Sequence, residues 1–320
     1  MKKILAVLCA LCVVFSLGAA TAFADSYNVG AIQLVQHPAL DAATQGFVDA
    51  LTEKLGDDVT INVQNASGDS ATCSVIANQL VSDEVDLIMA NATPALLAAA
   101  AATNQTPILG TSITNYASAF ELEEWDGREI ALNVSGTSDL APLDGQAQVL
   151  NELFPDAKTV GVLYCSAEPN SKFQADTIIP YLEEYGYTVT VYTFADSNDV
   201  ATVTASACED SDVLYIPTDN TAASCTEAIN NVALPAGVPI ICGEEGLCLG
   251  CGVATLSISY YDIGYATGEM AYEILVNGAD VSAMDIEYAP QFTKEYNAEL
   301  VEALGITIPE DYVAIATDAE

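Results

Sequence analysis

One phrase occurs twice in this chain and sets its architecture. Val85-Asp-Leu-Ile-Met-Ala-Asn-Ala-Thr-Pro-Ala95 reads as an apolar strand that ends in amide and hydroxyl residues and opens a helix; Ser211-Asp-Val-Leu-Tyr-Ile-Pro-Thr-Asp-Asn-Thr221 does the same. Two further pairs keep a similar offset. Val29-Gly-Ala-Ile-Gln, followed by His37-Pro38, answers Val160-Gly-Val-Leu-Tyr, followed by Glu168-Pro169. Thr106-Pro-Ile-Leu-Gly-Thr111 answers Val238-Pro-Ile-Ile-Cys-Gly243. Three anchors in one order, about 126 to 132 residues apart, imply two lobes of one α/β design. Open α/β sheets bind ligands outside the carboxyl ends of their strands, where both copies place polar groups.

The strands are too uniformly apolar to be half-exposed, which suits parallel sheets covered on both faces. In the first lobe the pattern predicts strands at 27–35, 59–65, 86–91, 107–110 and 131–135, with helices at 38–55, 70–82 and 94–103. Thr93 stands as the N-cap of the last helix, with Pro94 in its first turn. In the second lobe it predicts strands at 159–164, 188–193, 212–216 and 239–242, with helices at 171–185, 198–208 and 221–232. A tail comes next, read as strand 253–259, helix 260–277, strand 285–288 and helix 294–304. A simple tandem pair would stop before this tail. The chain is therefore expected to return to the first lobe and cross back, with crossings near Gly136, Leu256 and Ala289. The expected fold is two similar Rossmann-like lobes with parallel sheets joined by a three-crossing hinge. Lobe 1 spans 25–136 plus about 257–289, and lobe 2 about 137–256 plus 290–320.

Residues 1–24 read as a signal peptide: Lys2-Lys3, an apolar run from Ile4 to Leu17, and Ala22-Phe-Ala24 as the cleavage site. Cleavage leaves five basic residues against 45 acidic ones and moves the formal charge from -38 to -40. Such a chain repels phosphate backbones and anionic membranes, so neither nucleic acid nor membrane insertion after cleavage is expected. A soluble, exported monomer in the periplasm or at the cell envelope is the expected form. Seven cysteines remain: Cys73, Cys165, Cys208, Cys225, Cys242, Cys248 and Cys251. An oxidising compartment makes disulfides or inert buried thiols the alternatives. The Cys242, Cys248, Cys251 spacing lacks a fourth zinc ligand, because His37, the single histidine, lies in the other lobe.

No P-loop, dinucleotide fingerprint or nucleophile-elbow motif is present, so no cofactor and no metal are expected. The strand ends fit a clamp for a small zwitterion. Thr93 at a helix start and the Thr111-Ser-Ile-Thr-Asn115 cluster (Thr111, Ser112, Thr114 and Asn115) offer donors to a carboxylate. Asp219, with Glu244 or Glu245, offers an acceptor to an ammonium from the opposite lobe. His37, Tyr116, Tyr164, Tyr260 and Tyr261 are apolar-bodied candidates to pack the ligand's side chain. Each has a plainer role open to it. Thr93 and Asp219 could simply cap helices, His37-Pro38 could be a turn, and the tyrosines could be core or surface.

Five segments carry a family resemblance: His37-Pro-Ala-Leu-Asp41, Asn91-Ala-Thr-Pro-Ala95, Tyr215-Ile-Pro-Thr-Asp-Asn220, Gly243-Glu-Glu-Gly246 and Tyr260-Tyr-Asp-Ile-Gly-Tyr-Ala-Thr-Gly268. Together they resemble the exported substrate-binding proteins of ABC transporters of the TrpX-like, tryptophan/tyrosine type, over Tyr27 to about Asn277. The resemblance implies a type I periplasmic-binding-protein fold. It also implies an amino-acid ligand, aromatic by preference, closed between the lobes and delivered to an ABC permease with its ATPase. The chain departs from the family pattern in three places. It lacks the cleavage-site cysteine of the lipoprotein members, has Gln36 where Glu is common, and carries Cys248 and Cys251, where a local disulfide would stiffen the loop. A sensory protein presenting its ligand to a receptor, and a cleft enzyme using Glu244 and Glu245, are the alternatives.

Overall fold

The computed structural model describes residues 26–125 and 133–316; the leader read at 1–24 lies outside them. From its start the chain alternates strand and helix: β1 (Tyr27–Gln33), α1 (Pro38–Leu55), β2 (Val59–Asn65), α2 (Ser70–Ser82), β3 (Leu87–Asn91), α3 (Thr93–Ala102), β4 (Ile108–Ile113), α4 (Tyr116–Ala119) and β5 (Val134–Ser138). The second set is α5 (Leu143–Leu153), β6 (Thr159–Cys165), α6 (Pro169–Glu184), β7 (Thr188–Phe194), α7 (Val200–Asp210), β8 (Val213–Ile216), α8 (Asn220–Ala223), α9 (Thr226–Ala236), β9 (Ile240–Cys242), α10 (Glu245–Cys251) and β10 (Ala254–Ser257). The tail is α11 (Tyr260–Asn277), β11 (Glu287–Tyr288), β12 (Thr293–Tyr296), α12 (Ala298–Leu304) and β13 (Val313–Ala314).

These strands form two sheets, ordered β11-β5-β4-β3-β1-β2 and β13-β12-β10-β9-β8-β6-β7. Every pairing is parallel except β10 with β12. The chain passes between sheets after β5, after β10 and after β11. Central strands such as β3, β4 and β8 are buried at every residue, because helices cover both faces; the edge strands β2 and β7 are largely exposed on one side.

α11 closes the first lobe by lying on α1. A Cβ at Gly264 would sit 1.9 Å from the Ala43 carbonyl oxygen, and one at Gly46 would sit 2.1 Å from that of Tyr261. The two helices therefore meet at backbone distance, and Met270, Ala271 and Ile274 reach the core of Val29, Ala31, Phe47 and Leu51. The second lobe has its own core, including Val160, Val162, Tyr215 and Ile241.

Several local expectations need correction. Ala92, at φ 84°, is the N-cap of α3 and makes no side-chain cap bond, so Thr93 falls inside the first turn. The helix expected at 221–232 is two helices, broken where Cys225 leaves helical geometry. The helix expected from Lys294 begins at Ala298, because Thr293–Tyr296 pair with β10 and Asn297 caps α12. α5 and α10 were not expected. Of the strand read at 131–135, residues 131 and 132 lie outside the described residues, and β5 runs on to Ser138. All seven described cysteines are free. Cys248 and Cys251 sit on α10 inside the second-lobe core with Ile240 and Leu247, not in a loop, so no local disulfide forms.

Candidate ligand-binding site

The carboxyl ends of the two sheets face one another across a polar seam. From the first lobe come His37 between β1 and α1, Asn91 at the end of β3, Thr93 on α3 and Thr111–Asn115 at the end of β4, with Asp139 at the crossing after β5. From the second come Glu168 and Asn170 at the start of α6, Gln174 on α6, Asp219 and Asn220 at α8, and Glu244 at α10. Two hydrogen bonds cross directly: His37 Nε2 with Asn220 Oδ1 at 3.3 Å, and Gln174 Nε2 donating to Thr114 Oγ1 at 3.4 Å. At the crossings, the Tyr260 hydroxyl donates to Asp139 Oδ2 at 2.9 Å. The lobes stand closed.

Eight buried side-chain polar atoms lack a hydrogen-bond partner among the described residues, and five belong to this seam: His37 Nδ1, Asn91 Oδ1, Ser112 Oγ, Asp139 Oδ1 and Asn170 Oδ1. Each costs about 1–3 kcal/mol if left unpaired, so their concentration in one place marks a surface built to meet something polar. Asn91 shows how the sequence arranges this. Its amide nitrogen donates to the Leu40 carbonyl at 2.8 Å and to Thr44 Oγ1 at 2.9 Å, which fixes the side chain and leaves its oxygen free. Ser112 sits at φ 56°, where the register between β4 and β5 shifts. A non-glycine residue held in the left-handed region is a local strain of the kind found at binding sites.

The second-lobe acids are organised differently, and Asp219 is engaged by the protein's own backbone. Its Oδ2 accepts from the Cys165 N–H at 2.7 Å and its Oδ1 from the Ala222 N–H at 2.8 Å. It caps α8, and burial, reinforced by neighbouring Glu168, pushes its carboxyl up to about 8. Both of its oxygens are already held by backbone donors. Glu168 is filled as well: Oε1 accepts from the Thr221 N–H and hydroxyl, both at 2.7 Å, and Oε2 accepts from Asn220 Nδ2 at 2.7 Å, the Asn220 N–H at 3.0 Å and Asn170 Nδ2 at 3.1 Å. Glu244 caps α10 through the Gly246 and Leu247 N–H groups, and burial raises its carboxyl to about 7.

The remaining expected residues divide. Thr93, Ser112, Thr114 and His37 are buried at the seam, and Tyr260 reaches it through Asp139. Burial holds the His37 imidazole below its ordinary pKa, so the neutral ring is favoured. Thr111 is buried and accepts from the Thr137 hydroxyl at 3.2 Å, and Asn115 caps α4. Tyr164 packs in the second-lobe core with Val160, Ala175 and Tyr187, away from the seam. Its place on a central strand decides this, since alternate residues there point into the covered faces. Tyr116 likewise bridges the Gly110 and Thr137 carbonyls, and Tyr261 bonds Asp49 at the surface. Glu245 is half-buried and lines a cavity of about 340 Å³ with Pro38, Ala39, Glu244, Tyr260 and Glu295. Among the described residues no group of three or more His, Cys, Asp or Glu is placed to hold a metal. The sequence reading missed Asn91, Asp139, Asn170 and Gln174. The repeat held a signal for one of them, because Glu168-Pro169-Asn170 stands where His37-Pro38 stands in the first copy.

The family model for ABC transporter substrate binding proteins matches residues 28–320. The chain belongs to that family. As a substrate-binding protein it serves an ABC transporter and takes a small-molecule ligand. A tyrosine-binding protein of Clostridioides difficile (strain R20291) is 39% identical over 254 residues, covering 78% of this chain and 72% of the relative. Among solved structures, an ABC domain in complex with L-Trp from Streptococcus pneumonia is 31% identical, with a TM-score of 0.84 over 89% of this chain and 96% of the other. A ligand-free, open substrate-binding protein with adhesive properties from Clostridium difficile is 37% identical, yet its TM-score is 0.69 over 91% of this chain and 100% of the other. The nearer sequence agrees less well in shape, as expected when a closed substrate-binding protein is laid on an open one. Among the described residues no helix is long and apolar enough to cross a membrane.

Proposed function

We propose that the seam captures one free amino acid, aromatic by preference, and that the closed protein hands it to an ABC permease and its ATPase. The observation that carries this is the convergence of unpartnered polar atoms from both lobes onto a closed seam. The charge pattern supports it. Lys54, Lys172 and Lys294 are paired with acids outside the seam, and Lys158 is exposed, so among the described residues no cation waits there for a multiply charged anion. A single carboxylate is served instead by neutral donors, with Ser112 and the start of α3 at Thr93 in position. The tyrosine- and tryptophan-binding relatives point to the side-chain class.

In this reading the protein works as an exported monomer without catalysis. Lobe 1 (25–136 plus about 257–289) and lobe 2 (about 137–256 plus 290–320) open and close about the three crossings. Ligand shifts the population toward the closed form because only that form contacts it from both sides. The test is thermal unfolding of the purified protein against the amino acids. Tyrosine, tryptophan or phenylalanine at about 100 times Kd adds about 2.7 kcal/mol of stability, a clear upward shift in Tm. No shift with any amino acid overturns the reading.

A further inference from the structure

A bound amino acid brings an ammonium group, and burying that charge without an acceptor is prohibitive. Four carboxylates are buried at the seam: Asp139, Glu168, Asp219 and Glu244. The last three have both oxygens engaged by the protein's own N–H and hydroxyl donors. Asp139 differs. It is 4% exposed, its backbone N–H is tied to the Ile113 carbonyl, its Oδ2 is held by Tyr260, and its Oδ1 has no partner. It also stands directly after β5, where the chain first leaves one lobe for the other.

We propose that Asp139, oriented by the Tyr260 hydroxyl, is the acceptor for the ligand's ammonium group, placing the charged end of the amino acid beside the crossings. The inference rests on the amino-acid reading of the seam. The side chain then extends away from the crossings, and closure brings the Gln174–Thr114 and His37–Asn220 contacts together over it.

This arrangement links binding to protons. The groups facing Asp139 are Tyr260 from α11, Tyr116 from α4, the Thr114 hydroxyl after β4 and Glu244 from α10; none is cationic. Burial raises the Asp139 carboxyl to about 6, against the opposing pull of the Tyr260 and Thr114 hydroxyls. Ammonium binding favours the ionised form, so below that pH a proton must leave Asp139 before the ligand is held, and affinity falls by up to about tenfold per pH unit.

The experiment measures Kd for L-tyrosine, L-tryptophan and their des-amino analogues on the wild type and on Asp139→Asn, at pH 8 and pH 5. At pH 8 the wild type favours the amine-bearing ligand by about a hundredfold. Asp139→Asn reduces that preference to within about threefold, mainly by losing affinity for the amino acid. In the wild type, lowering the pH weakens the amino acid and leaves the des-amino analogue unchanged, a comparison that stands even if the variant does not fold. A folded Asp139→Asn that keeps the full preference, or a wild type whose amino-acid affinity ignores pH between 8 and 5, overturns the assignment while leaving the amino-acid reading intact. Absence of binding by every amino acid removes both.

Discussion

On the first-lobe rim of the seam, His37, Asn91 and Ser112 each keep a buried polar atom without a partner, whereas on the second-lobe rim Glu168, Asp219 and Glu244 have every carboxylate oxygen engaged. Asp139 at the crossing apart, the first rim is neutral and unsatisfied; the second is acidic and, apart from Asn170 Oδ1, satisfied from within. The difference separates two uses of polar residues at strand ends. Buried acids saturated by backbone N–H groups build the turn and start the helix. Neutral groups held on one side and free on the other are suited to recognition.

This contrast can be broken by mutation. Glu168→Ala strips acceptors from Asn220, Thr221 and Asn170 at once, and is expected to lower unfolding free energy by about 3 kcal/mol in urea titrations. An unchanged midpoint would show that the acid is not structural. Asp219→Ala loses one helix cap and orphans the Cys165 N–H, costing about 2 kcal/mol of stability while leaving ligand Kd within about twofold. A large loss of affinity in a stable Asp219 variant would restore it as a ligand contact.

The same variant reports on pH. Burial holds the carboxyls of Asp139, Glu244 and Asp219 protonated up to about 6, 7 and 8, well above unfolded carboxylates. The folded state therefore binds more protons across that window, and stability rises as pH falls from 8 toward 5. Asp219→Ala should flatten the alkaline part of that slope in a Tm series. The smallest effect is expected from Ser112→Ala. It removes an unpartnered hydroxyl, leaving stability unchanged, and weakens ligand binding by about fivefold, close to 1 kcal/mol. Destabilisation without loss of affinity would place Ser112 with the structural groups.

The architecture was legible because the strand–helix phrases repeat in order, and strand ends in α/β sheets are where polar residues collect. The return of the chain to the first lobe could be read from the tail that a tandem repeat does not need. Less legible was which polar groups cap a helix. Asp219 and Thr93 occupy equivalent places in the two copies, but whether a side chain caps its own helix depends on the backbone of a single residue. Asp219 takes extended geometry and bonds the Ala222 N–H, while Ala92, at φ 84°, shifts Thr93 into the helix and away from the capping position. Asp139 escaped notice because it belongs to no repeat. Its significance comes from Tyr260, which lies 121 residues away in the chain.

The packing of α11 on α1 has a consequence for how the molecule is made. The first lobe cannot finish its interior until Gly264, Met270 and Ile274 have been synthesised, long after its first five strands. The second waits for β12, Leu300 and Tyr312. Neither half can complete its core before the strands of the other have been made. Contacts so distant in the chain make folding slow. The first core therefore stays open until residues 264–274 have been made, and the second until residues 293–312.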